Sequence, residues 1–378
     1  MHAVAQMDDA TQPALQSTSP EGDWSAGPSL PMLWDALEAE QWSLRAQQHL
    51  LPEVLVHAQA LAPASRIAWL IRLREASHHA WAAPICIRET LIRLAWAWSD
   101  WPLLLAVCER MESTEELPEW ADALMATAQL RLGAAQTALV RARILALLHP
   151  QDRWAAEMHD ALHRWIAFAE RAAPAIVGDA LRLEPLGHHH VDDFAWQYFD
   201  PAIAERCCLP TFADGAHWHR WLDRCWSYGD QRLYAVIHAE WGFVGSVSLI
   251  LHDGIGLFYY WIGRDFQGHG IGPAAARLLL EDARATGRMR ICYAKVFEDN
   301  APSRRALEKL GFDALDFRPT PPNADEMLYR LGPAQVRCGS VEELRALFVR
   351  MGSETRIAVP LSESPSTGPM RFDRRSLP

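Results

Sequence analysis

A change of texture at Pro174 sets the widest limits on how this chain can fold. From Leu30 to about Ala173 apolar residues recur at helical spacing, and after Pro174 short runs alternate like strands. Ile67, Leu70, Ile71 and Arg74 make one helical stripe; Leu91, Leu94, Ala95 and Trp98 make a second; Leu139, Ala142, Leu145 and Ala146 make a third. Breaks fall at Pro63, Pro84, Pro102, Pro118, Gly133 and Pro150, so the segments between them are short, as in antiparallel helix pairs.

The chain of 378 residues suggests two domains at ~100–200 residues each. Residues 1–29 are rich in Ser, Pro, Gly, Asp and Gln and read as a disordered leader. Residues 30–174 read as an all-helical, solenoid-like domain. Within it, Ala106 and Pro118 recur as Ala138 and Pro150, 32 residues on. That is close to the ~34-residue tetratricopeptide period, and Trp120 to Pro150 resembles one such repeat, with small residues at Ala126 and Ala138 and a turn at Gly133. Eleven of the 17 tryptophans precede Pro174. They could line a binding groove, but large aromatics on helices mostly fill cores. Residues 175–332 read as an α+β domain, and 333–378 as an extension with one helix and a flexible tail.

The charge of the whole chain narrows the partners. A net charge of -11 argues against a nucleic-acid binder that neutralises phosphates. No stretch approaches the ~18 unbroken apolar residues of a membrane span, and the start lacks the basic-then-apolar order of a signal peptide. Seven cysteines without a Cys-x-x-Cys pair argue against a zinc ribbon and fit a reducing cytoplasm.

In the second half, Leu181 to Leu186 alternates like a strand. Val191 to Tyr198 and Gly215 to Trp226 read as helices. Leu233 to His238, Phe243 to Leu251 and Leu257 to Ile262 are rich in β-branched and aromatic residues, with turns at Trp241-Gly242 and Asp253-Gly254. A helix from Pro273 to Thr286, a strand from Arg290 to Val296, a helix from Ala301 to Leu310 and a strand from Glu326 to Leu331 complete an α+β order.

Between the strand that ends at Ile262 and the next helix stands Gln267-Gly-His-Gly-Ile-Gly272. Glycines let backbone N–H groups converge on a ligand, and the following helix start is electropositive, so the pair can cradle phosphate. The spacing is not the dinucleotide-binding G-x-G-x-x-G, because Pro273 stands where the third glycine is wanted, and no Gly-Lys-Ser/Thr follows as in a Walker loop. Taken alone, the glycines could equally be an ordinary turn before a helix.

Their surroundings resemble the GNAT superfamily of acyl-CoA N-acyltransferases, in particular its ribosomal-protein N-terminal acetyltransferase branch. The family's pyrophosphate loop, Arg/Gln-x-x-Gly-x-Gly/Ala, is met by Gln267, Gly270 and Gly272. Tyr260-Trp-Ile262 is similar to the branch's strand before the loop, Asn300-x-x-Ser303 with Leu307-Glu-Lys-Leu-Gly-Phe312 to its second signature, and Leu181 to Leu186 to its first strand. The resemblance implies a mixed sheet flanked by helices and acetyl-CoA, or another acyl-CoA, as co-substrate, with no metal. It implies that Gln267, Gly268, His269, Gly270, Ile271 and Gly272 bind the pyrophosphate, that the strand to Ile262 holds pantetheine through its main chain, and that Asn300 and Ser303 contact the pantetheine arm. Members with a tyrosine acid carry it seven residues after the asparagine, where this chain has Leu307. In this branch the serine can take that role, so Ser303 is a candidate general acid, or else a helix-start residue that caps or contacts pantetheine. Pro273 removes one N–H from the cradle.

The base is less clearly written. Glu298 and Asp299 lie beside Asn300 and could serve, or could be solvated loop carboxylates. Tyr259 and Tyr260 could orient the acceptor or simply pack. His188-His189-His190 with Asp192 and Asp193 could hold a metal, but adjacent residues point different ways and an aspartate at a helix start is more plainly a cap. His217-Trp218-His219 could line a pocket or form a helix face. The acceptor is a primary amine, expected on a protein or peptide recruited by the helical domain. The alternatives are a small-molecule amine, or a non-catalytic CoA-binding adaptor. On this division, deleting residues 1–174 spares turnover of a small amine.

Overall fold

The structure, a computed structural model, describes residues 29–61, 69, 72–74, 85–198, 200–207, 211–227, 229–333, 337–350 and 355–358. The leader before Ser29, the tail after 358 and the stripe at Ile67, Leu70 and Ile71 lie outside the described residues.

The first half is helical: α1 (Leu30–Ala39), α2 (Leu44–Gln59), α3 (Ile85–Ala97), α4 (Trp101–Ser113), α5 (Ala121–Arg131), α6 (Ala135–Leu148) and α7 (Arg153–Ala172). Among the described residues each of these helices packs against the one that follows it here. The starts are set by side chains that accept an orphan backbone N–H: Ser43 from Ala46, Asp100 from Leu103 and Asp152 from Trp154. Pro102 falls in the first turn of α4, where its missing N–H costs nothing. Gly133, at φ +78°, follows the end of α5 in the left-handed conformation that stops a helix. Ala126 on α5 and Ala138 on α6 are fully buried. Trp34 is buried among Trp42 and Trp69, with ring centroids 5.4 and 5.6 Å away, so these aromatics fill a core.

The second half carries β1 (Ile176–Val177), β2 (Leu181–Pro185), α8 (Val191–Tyr198), α9 (Pro201–Ala204), α10 (Gly215–Ser227), β3 (Gln231–His238), β4 (Gly242–His252) and β5 (Ile255–Ile262). There follow α11 (Ile271–Ala285), β6 (Ile291–Phe297), α12 (Ala301–Lys309), β7 (Asp313–Ala314), β8 (Arg318–Pro319), β9 (Glu326–Leu331), α13 (Arg337–Arg350) and β10 (Ile357–Ala358). Eight strands form one sheet in the order β1-β2-β3-β4-β5-β6-β9-β7, and β10 pairs with β8. Asp253 and Gly254, at φ 50° and 79°, make the two-residue turn between β4 and β5, whose twist suits a hairpin. The architecture is α+β, as the order of elements implied.

The chain forms two compact units, residues 1–194 with 235–245, and residues 195–234 with 246–378. The first unit therefore joins the helices to the opening strands. Arg131 of α5 donates to the His189 carbonyl at 3.3 Å and pairs with Asp193. The Trp165 ring of α7 meets the His189 ring edge-on at 4.6 Å. Gly187 has no room for a side chain, since a Cβ there would stand 2.3 Å from the Trp165 indole nitrogen. At Gly242 a Cβ would stand 2.8 Å from Trp101.

Candidate functional site

The second unit is opened by a mismatch between two strands. β5 and β6 run parallel and pair from Ile255↔Ile291 to Phe258↔Ala294. Beyond that point no pairing joins Tyr259–Ile262 to Lys295–Phe297, while β6 stays paired with β9 as far as Phe297↔Glu326. A cavity of about 990 Å³ lies here, lined by the ends of both strands, by the loop at Gln267–Pro273 and by the start of α12.

Alternation along β5 assigns its side chains to two faces. Phe258 and Tyr260 stack on one face, and the Tyr260 ring lies 2.6 Å from where a Cβ on Gly272 would be, so glycine is required at that position of α11. Tyr260 and Ser303 of α12 both line the cavity. Burial pushes the Tyr260 pKa up, against an opposing pull from the Ser303 hydroxyl. On the other face, Leu257 packs with α13, Tyr259 accepts a 2.5 Å hydrogen bond from Gln231, and Trp261 packs on Tyr198.

The loop leaves its backbone accessible. Gly268 and Gly270 sit at φ +83° and +77°, and a Cβ at either would meet nothing within 4 Å. The backbone there is both left-handed and open. Gln267 fastens the loop to the end of β5 by donating from Nε2 to the Ile262 carbonyl at 2.9 Å. Pro273 removes no helical bond, because the first donor of α11 is the Ala274 N–H, to Gly270. Asn300 caps α12 with Oδ1 accepting from the Ser303 N–H at 3.3 Å. Arg206, Arg264, Arg305, Lys309 and Lys295 line the cavity; Arg206 pairs with Asp299, Arg264 with Asp200 and Lys295 with Glu326, so the positive charge of the wall comes mainly from Arg305 and Lys309 on α12.

Most of the residues singled out in the sequence come together on this wall: Tyr260, Ile262, Gln267, Gly268, Gly270, Ile271, Gly272, Asn300 and Ser303, with Leu307. His269 and Glu298 are not on it. Glu298 is turned to solvent and held by Arg318 in a two-pronged pair at 2.6 and 2.8 Å, whose hydrogen bonds and charge lower its pKa. The carboxylate that does line the cavity is Glu326, which sequence reasoning missed. It is buried on β9, with both oxygens 2.9 Å from Lys295 Nζ of β6. Lys295 shares the parity of Tyr293, and Glu326 that of Leu328; Tyr293 and Leu328 pack with α13, so the pair stands on the Leu257–Tyr259 face. Tyr259 also lies on the cavity wall, whereas His217 and His219 do not.

Glu184, His189 and His190 of the first unit could place one ligand atom each within 4.8 Å of one another. The hydrogen bonds oppose a metal there. The Gly187 N–H donates to His190 Nδ1 at 2.9 Å, so the His190 proton is assigned to Nε2, which donates to Glu184 Oε1 at 3.0 Å. That nitrogen is a donor, not a ligand. Burial pushes the His189 pKa down to about 3. For Glu184, burial acts upward, but the two histidines beside it outweigh that and bring it to about 2.

Both shifts have the same sign for stability. Below the ordinary histidine value of 6.5 the unfolded chain takes up a proton that folded His189 refuses, until pH 3. Glu184 adds its loss as pH falls from 4.5 to 2. Thermal midpoints should therefore fall from pH 6.5 downward and most steeply between 4.5 and 3. His189→Phe should flatten the limb between 6.5 and 4.5, and an unchanged slope in that variant would refute the assignment.

Residues 180–313 match the family described as the acetyltransferase (GNAT) domain. A search of curated proteins finds no match to the chain. Among solved structures, the microcin C7 self-immunity acetyltransferase, in complex with acetyl-CoA and AMP, is 16% identical at TM-score 0.39, over 43% of this chain and 98% of that one. The Salmonella typhimurium acetyltransferase that modifies the N-terminal serine of ribosomal protein L7/L12 is 16% identical at TM-score 0.38, over 42% and 99%. A GCN5-related N-acetyltransferase from Brucella melitensis is 23% identical at TM-score 0.37, over 42% and 77%. In the described residues no helix is long and apolar enough to cross a membrane.

Proposed function

With residues 180–313 forming an acetyltransferase domain of the GNAT family, we propose that the segment 175–332 transfers an acyl group from acyl-CoA to a primary amine, with the acyl-CoA in the cavity of the second unit. The observation that carries the reading is the parting of β5 and β6 between a glycine loop on one side and a buried carboxylate on the other. Backbone N–H groups of Gln267–Gly272 take the pyrophosphate, and the positive side chains around them suit its charge. The stretch of β5 from Tyr259 to Ile262, past the end of its pairing with β6, offers main-chain groups to pantetheine, and Asn300 flanks it. The thioester then lies in the gap, between Ser303 on one face and Glu326 on the other.

The chemistry balances with these groups. The amine nitrogen attacks the thioester carbon and forms the C–N bond. Glu326, its carboxylate held by Lys295, receives the amine proton. The C–S bond breaks, the departing thiolate takes a proton from Ser303, and water returns a proton to the serine alkoxide as Glu326, still beside Lys295, gives its own up to solvent, which restores both groups. For the acceptor, a protein or peptide recruited by the helical segment is supported by α6, where Val140, Ile144, Leu147 and Leu148, spaced i, i+4, i+7 and i+8, form an exposed apolar stripe.

Thiol release from acetyl-CoA with a panel of primary amines and N-terminal peptides tests the reading. Gly270→Trp fills open space at a left-handed position, and acetyl-CoA affinity should fall at least ~10-fold; unchanged affinity would displace the loop from its role. Ser303→Ala should lower kcat by ~10²-fold, with a smaller change in acetyl-CoA affinity. Equal losses would leave Ser303 a binding residue only.

A further inference from the structure

The far side of the cavity is closed by α13, which lies beyond the residues that match the family. Val341, Leu344, Leu347 and Phe348 pack on Leu257, Tyr293 and Leu328 of the sheet. The helix is tied at both ends of this contact. Tyr293 bonds Glu343, and Arg350 pairs with Asp230, just before β3, at 2.8 Å. Phe348, 2% exposed, reaches the cavity wall together with Trp221, Ile250 and Leu257. Besides the Lys295–Glu326 pair, this side of the cavity is lined by Trp221, Ile250, Leu257 and Phe348, and by Gln231 and Tyr259, which bond each other. Among the described residues Glu326 is the one acidic residue of the lining; Arg264 precedes the glycine loop, Arg305 lies on α12 and Arg206 follows α9.

An ammonium-rich acceptor would find a single carboxylate here, already paired with Lys295. A polar acceptor would find Gln231 and Tyr259 already bonded to each other, and would lose hydration to Trp221, Ile250 and Phe348. An apolar group beside the amine would gain by its burial. We propose that this chamber is the acceptor subsite, that it selects a primary amine borne next to an aliphatic or aromatic group, and that Phe348 of α13 sets how large that group can be. The inference rests on the acyl-transfer reading for its chemistry but not for its binding. The apolar amine can come from a free small molecule or from the first residue of a peptide, since both present the same group.

Matched acceptors test it in the full chain: phenethylamine against ethanolamine, and a peptide beginning with Phe against one beginning with Ser. Thiol release should favour the apolar member by at least ~10-fold in kcat/KM, as one well-filled apolar pocket allows. The arm that responds, amine or peptide, identifies the source. Phe348→Ala should erode the preference for phenethylamine and admit 4-phenylbutylamine, with KM for acetyl-CoA unchanged; Phe348→Leu, which keeps more of the core, should shift it in the same direction. Calorimetric binding of phenethylamine in the presence of CoA supplies a readout without turnover, and it should weaken in both variants. Turnover without apolar preference overturns the inference and leaves acyl transfer standing. No turnover with any amine, but binding that depends on Phe348, leaves the chamber standing and removes acyl transfer. A Phe348 variant that changes selectivity among acetyl-, butyryl- and octanoyl-CoA, and not among amines, overturns the inference by giving the chamber to the acyl chain.

Discussion

Residues 175–378 produced without the helical segment should fail to fold to a stable, soluble protein. The sequence reads as two separable domains divided near residue 174, and on that basis the shorter chain would still turn over a small amine. The packing points elsewhere. The first compact unit runs through Phe194 and takes in Ala235–Gly245, so the helices share it with β2, the start of α8, the end of β3 and the start of β4. Deletion would strip Arg131 from Asp193, Trp165 from Gly187 and His189, and Trp101 from Gly242. Glu184, now fully buried, would be left in water with its alternating neighbours exposed. Within the full chain, Arg131→Ala should cost about 3 kcal/mol, because it leaves the mostly buried Asp193 unpaired. The measurements are solubility and thermal unfolding of the truncated chain, and chemical unfolding of the variant. A truncated protein that melts cooperatively near the full chain's midpoint would restore the simple division.

Why the sequence reads differently here follows from what periodicity records. Leu181-Arg-Leu-Glu-Pro-Leu186 alternates as a strand should, and β2 forms there; alternation alone does not say what covers the second face, and Glu184 is buried by groups that arrive from elsewhere. The glycine loop, the Asn-x-x-Ser helix start and the strands around them were legible because each is local: left-handed glycines, a cap three residues before its donor, and a run of aromatic residues. The short pairs β7, β8 and β10 were not, since two residues carry no period. Glu298 drew notice by standing beside Asn300, yet the strand has ended there and its side chain meets Arg318 instead of the cavity. Glu326 drew none. It lies 31 residues from Lys295, and only the β6–β9 pairing brings the two together. A signal was present: a single lysine inside Ile-Cys-Tyr-Ala-Lys-Val-Phe and a single glutamate opening Glu-Met-Leu-Tyr-Arg-Leu are opposite charges in two otherwise mostly apolar strands. Charged residues in such strands are rarely buried unless paired.

That pair gives the largest catalytic effect expected. Glu326→Gln keeps the size of the side chain and a group that can accept a hydrogen bond from Lys295, but it cannot take a proton. kcat/KM for the amine should fall by ~10²–10³-fold at neutral pH, the usual contribution of a positioned base, while KM for acetyl-CoA stays within about twofold. The pH profile separates a base from a structural residue. An α-amino group has a pKa near ~8, so in the variant only the fraction already neutral reacts, and the rate should climb by about tenfold per pH unit until that value is reached. Wild-type protein, in which Glu326 can take the proton of a bound ammonium, should lack much of that climb. Lys295→Met is a different perturbation: it leaves the buried Glu326 without its cation, so stability should suffer more than in Glu326→Gln. If Glu326→Gln retains the wild-type kcat/KM at pH 7, or loses it in parallel with acetyl-CoA binding, the proton from the amine leaves by another route. The parted strands then keep their role in holding the thioester without this carboxylate.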